Sequence, residues 1–408
     1  MQIATGTYED DSDHAASPAS RGSNQSGMRA YNERLVLSLI RQAGPMPKAV
    51  VARMTGLSAQ TVSVIMRALE ADGLLQKGEP VRGKVGQPSV PMGLDADGAF
   101  FLGLKVGRRS AELVLTDFLG QVRYRTRLRH RYPTPDGVVQ FANEAIGAFL
   151  DQMPDALSVR VAGLGIALPF RLWDWARSMD KDTGGLEAWR DRDIAADIGA
   201  LWGFPVYLCN DASAACGAEL VFGAQNRPRD FLYFYVGYFV GGGLVLDNTL
   251  YTGKSGNAAA LGSMPVMVPG GEPRQLVDVA SLASLEAMLP SQGHDAEPTW
   301  DTAKRWNLPR DILETWLDQA ANGLAQAIVS STCLIDFQSV LIDGSMPVGL
   351  RAKLVGCTAR HLREIAVPGI DVPEIREGTI GSDARSLGAA SLPLSDRFLV
   401  DRKAFLKG

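Results

Sequence analysis

The sequence predicts an α/β fold with two lobes, preceded by a small, mainly helical domain. Residues 28–75 carry apolar residues at helical spacing, whereas from residue 99 onward apolar and polar residues alternate as they do in strands. Strand patterns followed by helix patterns then occur twice, in residues 99–211 and in residues 231–392. A chain of 408 residues is also long enough for two or three domains.

The composition predicts a globular protein without a membrane segment. Hydrophobic residues make up 46% of the chain and charged residues 21%. Charges or glycines interrupt every apolar run before it reaches the length of a membrane span. The polar, acidic N-terminus does not resemble a signal segment, so we expect a cytoplasmic protein. The four cysteines lack metal-ligand spacing, so we expect small buried hydrophobes and no metal or cofactor.

The net charge of −4 is distributed unevenly along the chain. Residues 28–92 hold nine Lys and Arg against four Asp and Glu, whereas residues 1–27 hold one Arg against four acidic residues. Residues 1–27 also lack apolar periodicity and are predicted to be a disordered tail. A basic module ahead of an acidic body indicates an anionic partner for residues 28–92.

The basic module has the pattern of a winged helix-turn-helix. Apolar spacing predicts helices at Tyr31–Gln42, Pro47–Met54 and Ala59–Asp72, and Ser58 is a good N-cap for the third helix. In this motif the third helix enters the major groove of DNA. A glycine-rich hairpin tip at residues 78–88 predicts a basic wing suited to phosphates or a minor groove. A helical protein-interaction module without DNA is the alternative.

Short polar side chains near the start of the third helix can reach base edges, and nearby basic side chains can hold phosphates. The predicted DNA contacts are Ser58, Gln60, Thr61 and Ser63 at this helix, Lys48 and Arg67 beside them, and Arg82, Lys84 and Gln87 in the wing. Such heads bind double-stranded operators as dimers whose half-sites lie about one helical turn apart. We therefore expect a homodimer or a dimer of dimers.

The remaining chain predicts two lobes that share one pattern. Strands are predicted at residues 100–106, 111–116, 121–128, 159–167 and 206–209, and in the second block at 231–238, 244–246, 249–251 and 339–342. Helices are predicted at residues 138–153, 193–202, 281–288, 310–333 and 383–392. The predicted boundaries are residues 93–211 with a C-terminal helix at 383–400 for the first lobe, and residues 212–382 for the second.

An amide and a carboxylate, Asn210 and Asp211, lie where the strand at 206–209 ends and a helix of small residues begins. Open α/β sheets bind ligands at this edge. Asp211 can serve as a catalytic base, as a ligand contact or as the cap of the following helix. We favour ligand contact, because the pair faces the cleft expected between the lobes.

These elements resemble the ROK family (repressors, open reading frames, kinases) across residues 28–392. The motifs are GLKVGRRSAELVLTDFLG, GLGIALP, CNDASAACGAELVFGA, VGGGLVLDNTLYTGKSGNAAALGSMPV, LIDGS and SLGAA. The resemblance implies a two-lobed, actin-like (ribonuclease-H-like) sugar-kinase fold for the body. Members with an N-terminal helix-turn-helix are mostly repressors of sugar use, such as the xylose and N-acetylglucosamine repressors.

The phosphate-binding residues of ROK kinases are changed in this chain. The aspartate of their aspartate–glycine–glycine–threonine loop corresponds to Lys105, the second glycine to Arg108 and the threonine to Arg109. A basic side chain cannot ligate Mg²⁺, and the bulk of two arginines opposes close backbone approach to ATP. Asp343 replaces a glycine in the later nucleotide-side loop. We therefore expect that kinase activity is lost and that the protein is not an enzyme.

The zinc site and part of the sugar site of the family are also changed. The zinc histidine corresponds to Ser263, and residues 268–278 contain no cysteine. Three sugar-binding side chains correspond to Ala260, Ser263 and Val277, whereas Asn210 and Asp211 are kept. Either the ligand differs from a common hexose, or other residues replace the lost contacts, or the ligand response is lost.

Candidate replacements follow the GLGIALP strand, because a tryptophan face suits the C–H face of a sugar. They are Arg171, Trp173, Asp174 and Trp175. A role for both tryptophans in the core or a dimer interface is the alternative. The predicted ligand site is Asn210, Asp211, Arg171, Trp173, Trp175, Ala260 and Ser263.

Together these patterns predict a DNA-binding transcriptional regulator, a repressor of carbohydrate-use genes. A small carbohydrate-like effector would bind between the lobes and favour one arrangement of the DNA-binding heads. The alternatives are a carbohydrate kinase with an appended helix-turn-helix and a regulator that no longer responds to a sugar.

Overall fold

The structure is a computed structural model that describes residues 24–80, 89–170, 172, 184–268, 270–289, 306, 308–365 and 368–400. Its helices are α1 (Asn24–Ala43), α2 (Lys48–Thr55), α3 (Ala59–Ala71), α4 (Pro135–Gln152), α5 (Asp155–Ser158), α6 (Gly184–Glu187), α7 (Ile194–Gly199), α8 (Asp211–Phe222), α9 (Leu276–Ala280), α10 (Leu282–Met288), α11 (Arg310–Thr332), α12 (Val348–Glu364) and α13 (Ala384–Phe398). Its strands are β1 (Leu75–Lys77), β2 (Met92–Leu94), β3 (Phe100–Val106), β4 (Ser110–Thr116), β5 (Val122–Arg129), β6 (Val161–Leu168), β7 (Val206–Asn210), β8 (Phe231–Val236), β9 (Val240–Leu246), β10 (Thr249–Leu250), β11 (Pro265–Val266), β12 (Arg274–Gln275), β13 (Ser339–Gly344) and β14 (Glu374–Glu377).

The helices α1 to α3 and the hairpin β1–β2 form the N-terminal head. Gly56 ends α2 in the left-handed conformation (φ 74°), and the Ser58 side chain caps α3 by accepting a hydrogen bond from the Thr61 N–H at 3.1 Å. The bend between α2 and α3 is 118°, in keeping with the roughly 90–120° of helix-turn-helix motifs. Across the described ranges no single helix is long and apolar enough to cross a membrane, and only α2 and α3 taken together reach that length and composition.

The first helix is longer than its apolar spacing predicts. It begins at Asn24, so the prediction of a disordered tail at residues 1–27 is wrong for its last four residues. Residues 1–23 lie outside the described residues. The hairpin strands β1 and β2 pair antiparallel, as expected for a wing. Three predicted wing contacts also lie outside the described residues: Arg82, Lys84 and Gln87.

Two five-stranded sheets with the same topology form the body. Their strand orders are β5-β4-β3-β6-β7 and β10-β9-β8-β13-β14. In each sheet the first three strands are antiparallel, and the last two run parallel to the third. All six residues of β8 are buried, since α11 covers one face of this strand and α8 the other. The repeated topology confirms the predicted two-lobed fold.

The helix α12 has a weak signal in the sequence and is not predicted from it. Its buried residues are Leu350, Arg351, Leu354, Thr358 and Leu362. Arg351 and Thr358 interrupt the apolar stripe, so hydrophobic spacing alone misses the helix. Arg351 is buried because it forms an ion pair with Asp343 at 2.7 Å. The helix predicted at 281–288 corresponds to α10, and the short helix α9 that precedes it and ends before Ser281 was not predicted.

The helices α8 and α13 pack side by side between the two sheets. A Cβ atom on Gly388 of α13 would lie 1.9 Å from the Ala214 carbonyl oxygen of α8. A Cβ atom on Gly165 of β6 would lie 1.8 Å from the Ala389 carbonyl oxygen of α13. Glycine is therefore required at both positions, because the backbone of α13 lies in direct contact with the backbones of α8 and β6.

Gly388→Ala is expected to destabilise the protein by about 1–3 kcal/mol or more, because the added methyl forces α13 away from α8. The matched control is Gly356→Ala on α12, where a Cβ atom meets nothing within 4 Å. This control is expected to raise stability by roughly 0.5–1 kcal/mol, since alanine favours helix. Urea denaturation of both variants measures the difference. Equal stability of the two variants would contradict the close packing of the helices.

The head and the first lobe share one hydrophobic core. The rings of Phe101 and Phe118 in the lobe lie 5.8 Å and 5.0 Å, centroid to centroid, from the ring of Phe398 at the end of α13. Buried side chains of the head complete this core, namely Val36, Leu37, Ile40, Met46, Val51, Val62, Ile65, Met66 and Leu69. The head is therefore packed against the body along α13 and the first sheet.

Arg41 of α1 contacts residues of the body and so links the head to it. Its guanidinium donates a hydrogen bond to the carbonyl oxygen of Phe118 and lies 5.1 Å from the centroid of that ring. It also lies 6.0 Å from the ring centroid of Phe222, the last residue of α8. Burial lowers the pKa of Arg41 to about 10, so its side chain remains charged at neutral pH. This partly buried cation of the head thus contacts both the first lobe and α8.

Candidate functional site

Asn210 and Asp211 lie at the carboxyl end of β7, where α8 begins. The side-chain oxygen of Asn210 accepts hydrogen bonds from the N–H groups of Ala212 at 3.1 Å and Ser213 at 3.3 Å. Asn210 is therefore the cap of α8, and the structure excludes this role for Asp211, the first residue of the helix. Capping uses the amide oxygen of Asn210 and leaves its NH₂ group as the donor for a ligand.

Asp211 forms an ion pair with Arg385 at the start of α13. The distance from Arg385 Nη1 to Asp211 Oδ2 is 3.2 Å, and both side chains are largely buried. Arg385 Cζ also lies 5.0 Å from the ring centroid of Tyr235 in the second sheet. Burial opposes the charge of Arg385, but Tyr235 and Asp211 outweigh it and raise its pKa. Its Nε is buried and has no hydrogen-bond partner among the described residues.

Lys105 of β3 lies in the same group of charges. Its Nζ donates a hydrogen bond to the Ser110 hydroxyl at 3.2 Å. Burial and the nearby Arg385 lower the pKa of Lys105 to about 7, against the opposing effect of Glu112 and Asp211. Lys105 therefore lies among charged groups on the sheet face that carries Arg127 and Glu112.

The turn between β3 and β4 connects the two lobes. Arg109 forms an ion pair with Glu286 of α10 in the second lobe. The guanidinium carbons of Arg108 and Arg109 lie 5.7 Å and 5.2 Å from the ring centroid of Tyr238. The turn between β3 and β4 therefore contacts the second lobe through two arginines.

The other predicted ligand residues lie on the opposite wall or outside the described residues. Ala260 and Ser263 are exposed in the second lobe, Ala260 directly before a short helical turn and Ser263 at its end. The loop before them approaches the end of β6, where a Cβ atom on Gly256 would lie 3.1 Å from the Phe170 ring. The structure brings Asn210 and Asp211 together with Lys105 and Arg385. Four positions lie outside the described residues: Arg171, Trp173, Asp174 and Trp175.

The exposed face of α3 carries three side chains that point away from the head. Gln60, Val64 and Arg67 are exposed at helical spacing, opposite the buried stripe of α3. Val64, which is 48% exposed, is a position that the polar pattern misses, and its methyl groups suit contact with thymine. Its spacing four residues after Gln60 is the signal that could have identified it.

The remaining predicted DNA contacts have structural roles of their own. The hydroxyls of Ser58 and Thr61 lie 2.8 Å apart, so both take part in the cap of α3. Ser63 is partly buried, and its carbonyl oxygen accepts a hydrogen bond from Arg67 Nε at 3.2 Å. Lys48 is the first residue of α2, a helix end that favours phosphate. Among the residues of α3 predicted from the sequence, Gln60 and Arg67 are therefore the strongest candidates for DNA contact.

The body and head together define a class: a two-lobed, ribonuclease-H-like body joined to a winged helix-turn-helix. Residues 101–395 match the model of the ROK family, and residues 29–76 match that of winged helix-turn-helix DNA-binding domains. Because the first match spans most of the chain, the protein belongs to the ROK family. The family and the DNA-binding head predicted from the sequence are thus confirmed.

Both regulators and kinases are similar to this chain. The xylose repressor of Bacillus subtilis (strain 168) is 26% identical over 247 residues, which cover 60% of this chain and 62% of the repressor, less than two thirds of its length. The N-acetylmannosamine kinase of Haemophilus influenzae (strain PittEE) is 28% identical over 269 residues, which cover 64% of this chain and 86% of the kinase.

A solved structure supports the fold over nearly the whole chain. The crystal structure of a ROK family transcriptional regulator, described as a homologue of the E. coli MLC protein, has a TM-score of 0.66 and 20% sequence identity. The similarity covers 91% of this chain and 98% of that one. At this identity it establishes the fold, and the predicted sugar-kinase architecture with its N-terminal head is confirmed.

Proposed function

We propose that this protein is a cytoplasmic transcriptional regulator that represses carbohydrate-use genes. It binds double-stranded operator DNA as a homodimer or a dimer of dimers, and a small carbohydrate-like effector between the lobes controls it. The observation that carries this proposal is the packing of the head against the body around Arg41. A head that shares a hydrophobic core with the body must follow movements of the body. A kinase whose head is merely appended would not need a core shared between the head and the body.

The head contacts DNA through α3 and its surroundings in this proposal. Gln60 and Val64 read base edges in the major groove, while Lys48 and Arg67 hold phosphates. The sequence adds Ser58, Thr61 and Ser63 near the bases and Arg82, Lys84 and Gln87 in the wing. The exposed face of α3 and its 118° bend from α2 support this assignment.

Two adjacent helices connect the effector site to the head. The helix α8 begins at Asp211 and ends at Phe222 beside Arg41, and its 12 residues span about 18 Å. The helix α13 begins next to Arg385 and ends at Phe398 in the core shared with the head. A ligand that separates or tightens the Asp211–Arg385 pair would shift both helices where they meet the head.

The effector contacts follow from the cleft and from the sequence. Asn210 and Asp211 line the end of β7, and Ala260 and Ser263 lie exposed in the second lobe. The sequence adds Arg171, Trp173 and Trp175 as contacts for the apolar face of the ligand. Neutral, small side chains at Ala260 and Ser263 support a ligand other than a common hexose.

The body is expected to lack kinase activity. Asp211 is already engaged by Arg385, and Lys105 adds a positive charge where a magnesium ligand is needed. A coupled assay of ADP release with ATP, Mg²⁺ and a panel of hexoses, pentoses and N-acetylhexosamines should show no turnover above a protein-free blank. Turnover that disappears in Asp211→Asn would instead establish the alternative, a carbohydrate kinase with an appended head.

Footprinting tests the proposal itself. The full-length protein is expected to protect two half-sites about one helical turn apart, or a multiple of that distance, upstream of the genes it controls. The DNA flanking its own gene is the first fragment to examine, at physiological salt. Uniform protection without preferred sites would overturn the assignment as an operator-binding regulator.

A further inference from the structure

A cluster of linked charges surrounds the predicted effector site. Its basic members are Lys105, Arg125, Arg127 and Arg385, and its acidic members are Glu112, Asp211 and Asp383. The cluster draws on strands β3, β4 and β5 of the first lobe and on the adjoining ends of α8 and α13. It holds one more basic group than acidic groups.

Each arginine of the cluster has a carboxylate partner. Arg125 binds both oxygens of Asp383, at 2.8 Å and 2.6 Å, and Arg127 Nε donates to Glu112 at 2.8 Å. Arg385 is paired with Asp211. Lys105 alone among these cations contacts only a hydroxyl, that of Ser110, within the described part of the chain. The unmatched positive charge of the cluster is therefore on Lys105.

An unmatched amine in this position is costly to keep charged. Burial removes water from Lys105, and Arg385 adds a like charge, so its pKa falls to about 7. A bound anion would remove this cost by supplying the missing partner. Lys105 is largely but not completely buried, which leaves part of its side chain accessible to a ligand.

We propose that the effector is an anionic carbohydrate, a sugar acid, whose carboxylate binds Lys105 while its hydroxyl groups bind Asn210 and Asp211. This inference rests on the proposed function and specifies the chemistry of its effector. The uncharged side chains of Ala260 and Ser263 fit this ligand, because carboxylates on the facing wall would repel it.

The size of the surplus charge selects carboxylate over phosphate. A carboxylate carries one negative charge, which matches the one surplus cation of the cluster. A phosphate monoester carries about 1.5 to 2 negative charges at neutral pH and three strong acceptor oxygens. It would leave part of its charge unmatched, so sugar phosphates are expected to bind more weakly than sugar acids.

Binding of a sugar acid is expected to take up a proton above pH 7. The groups that face Lys105 are Arg385, Arg127, Asp211, Glu112, His130 and the Ser110 hydroxyl. The ligand raises the pKa of Lys105 from about 7 in the unliganded protein. The interaction is therefore fully present below pH 7 and weakens as pH rises above it, by up to about tenfold per pH unit.

Calorimetric titration of the full-length protein tests this inference. The probes are D-glucose, D-galactose and D-xylose, their uronic and aldonic acids, and the corresponding sugar phosphates. At least one acid is expected to bind at least tenfold more tightly than its neutral parent and its phosphate. At pH 8, titrations in HEPES and in Tris buffer, which differ in ionisation enthalpy and carry no competing phosphate, should show proton uptake with the acid.

Lys105→Met is expected to abolish both the preference for the acid and the proton uptake. The control is Lys353→Met, which removes the same charge from the exposed face of α12 in the second lobe and should change neither. Thermal melting verifies folding. Should Lys105→Met fail to fold, Lys105→Arg provides the second test: it should keep acid binding but lose the proton uptake, because arginine stays charged.

The outcomes separate this inference from the proposed function. Equal affinity for acids and their neutral parents, tighter binding of phosphates, or unchanged acid binding in Lys105→Met would each overturn the inference. Operator footprinting with the same preparation reports on the proposed function. Footprints without a preference for acids remove only the sugar-acid effector, whereas a protein that binds neither DNA nor any probe contradicts both.

Discussion

Gln60→Ala is expected to weaken operator binding by roughly 5- to 150-fold, which corresponds to about 1–3 kcal/mol. Gln60 is exposed at the second position of α3, and its amide can both donate and accept hydrogen bonds at one base edge. The loss should be confined to one base pair of each half-site. Fluorescence anisotropy with operators mutated at single positions measures this effect, because the variant should no longer discriminate at the position that Gln60 reads.

Two comparisons give this prediction its specificity. Lys48→Ala should weaken binding to all sequences about equally and reduce the salt slope by about one, since a phosphate contact carries no base preference. Gln140→Ala, on the exposed face of α4 far along the chain, should leave operator binding unchanged. If Gln60→Ala behaves like Gln140→Ala, α3 is not the recognition helix.

Arg41→Met is expected to abolish the response of DNA binding to the effector. Coupling between two sites is typically about 1–3 kcal/mol, or 5- to 150-fold in affinity. Arg41 contacts both Phe118 and Phe222, so its removal separates the end of α8 from the head. The effector should then bind as before, while operator affinity with and without it becomes equal.

Arg41→Lys distinguishes a loss of coupling between the effector site and the head from a loss of stability. Lysine keeps the buried charge but loses the planar guanidinium that lies near both rings, so a reduced response with a near-normal melting temperature is expected. Arg229→Met, at an exposed arginine of the second lobe, should keep the full response. A full response in Arg41→Met would show that the signal reaches the head by another route.

The fold could be predicted from the sequence because its strands have strong local signals. The strand β3 has the bounds that the sequence predicts. The strand–helix pattern that occurs twice in the sequence predicted the two lobes, whose sheets have the same strand order. The helix α12 was not predicted because Arg351 lies at a position where apolar spacing requires a hydrophobic residue. Arg351 is buried there in an ion pair with Asp343. Buried charges depend on partners distant in sequence, and a periodic pattern does not record them.

Only part of the candidate site could be predicted from the sequence, for the same reason. Asn210 and Asp211 stand out at the end of a predicted strand. Arg385 lies 174 residues after Asp211, inside a helix of small residues, and only the packing of α13 on α8 brings the two together. Lys105 could be recognised as a departure from the family, but its lack of a carboxylate partner becomes visible only in the folded sheet.

The affinity of the full-length protein for its footprinted operator is the most direct measurement. It should be determined by fluorescence anisotropy at physiological salt, against a scrambled duplex of equal length, with and without the tightest-binding sugar acid. We predict binding at least about 10³-fold tighter to the operator than to the scrambled duplex, and a change of at least about fivefold on adding the effector. Equal affinity for the two duplexes, at every salt concentration, would contradict the account.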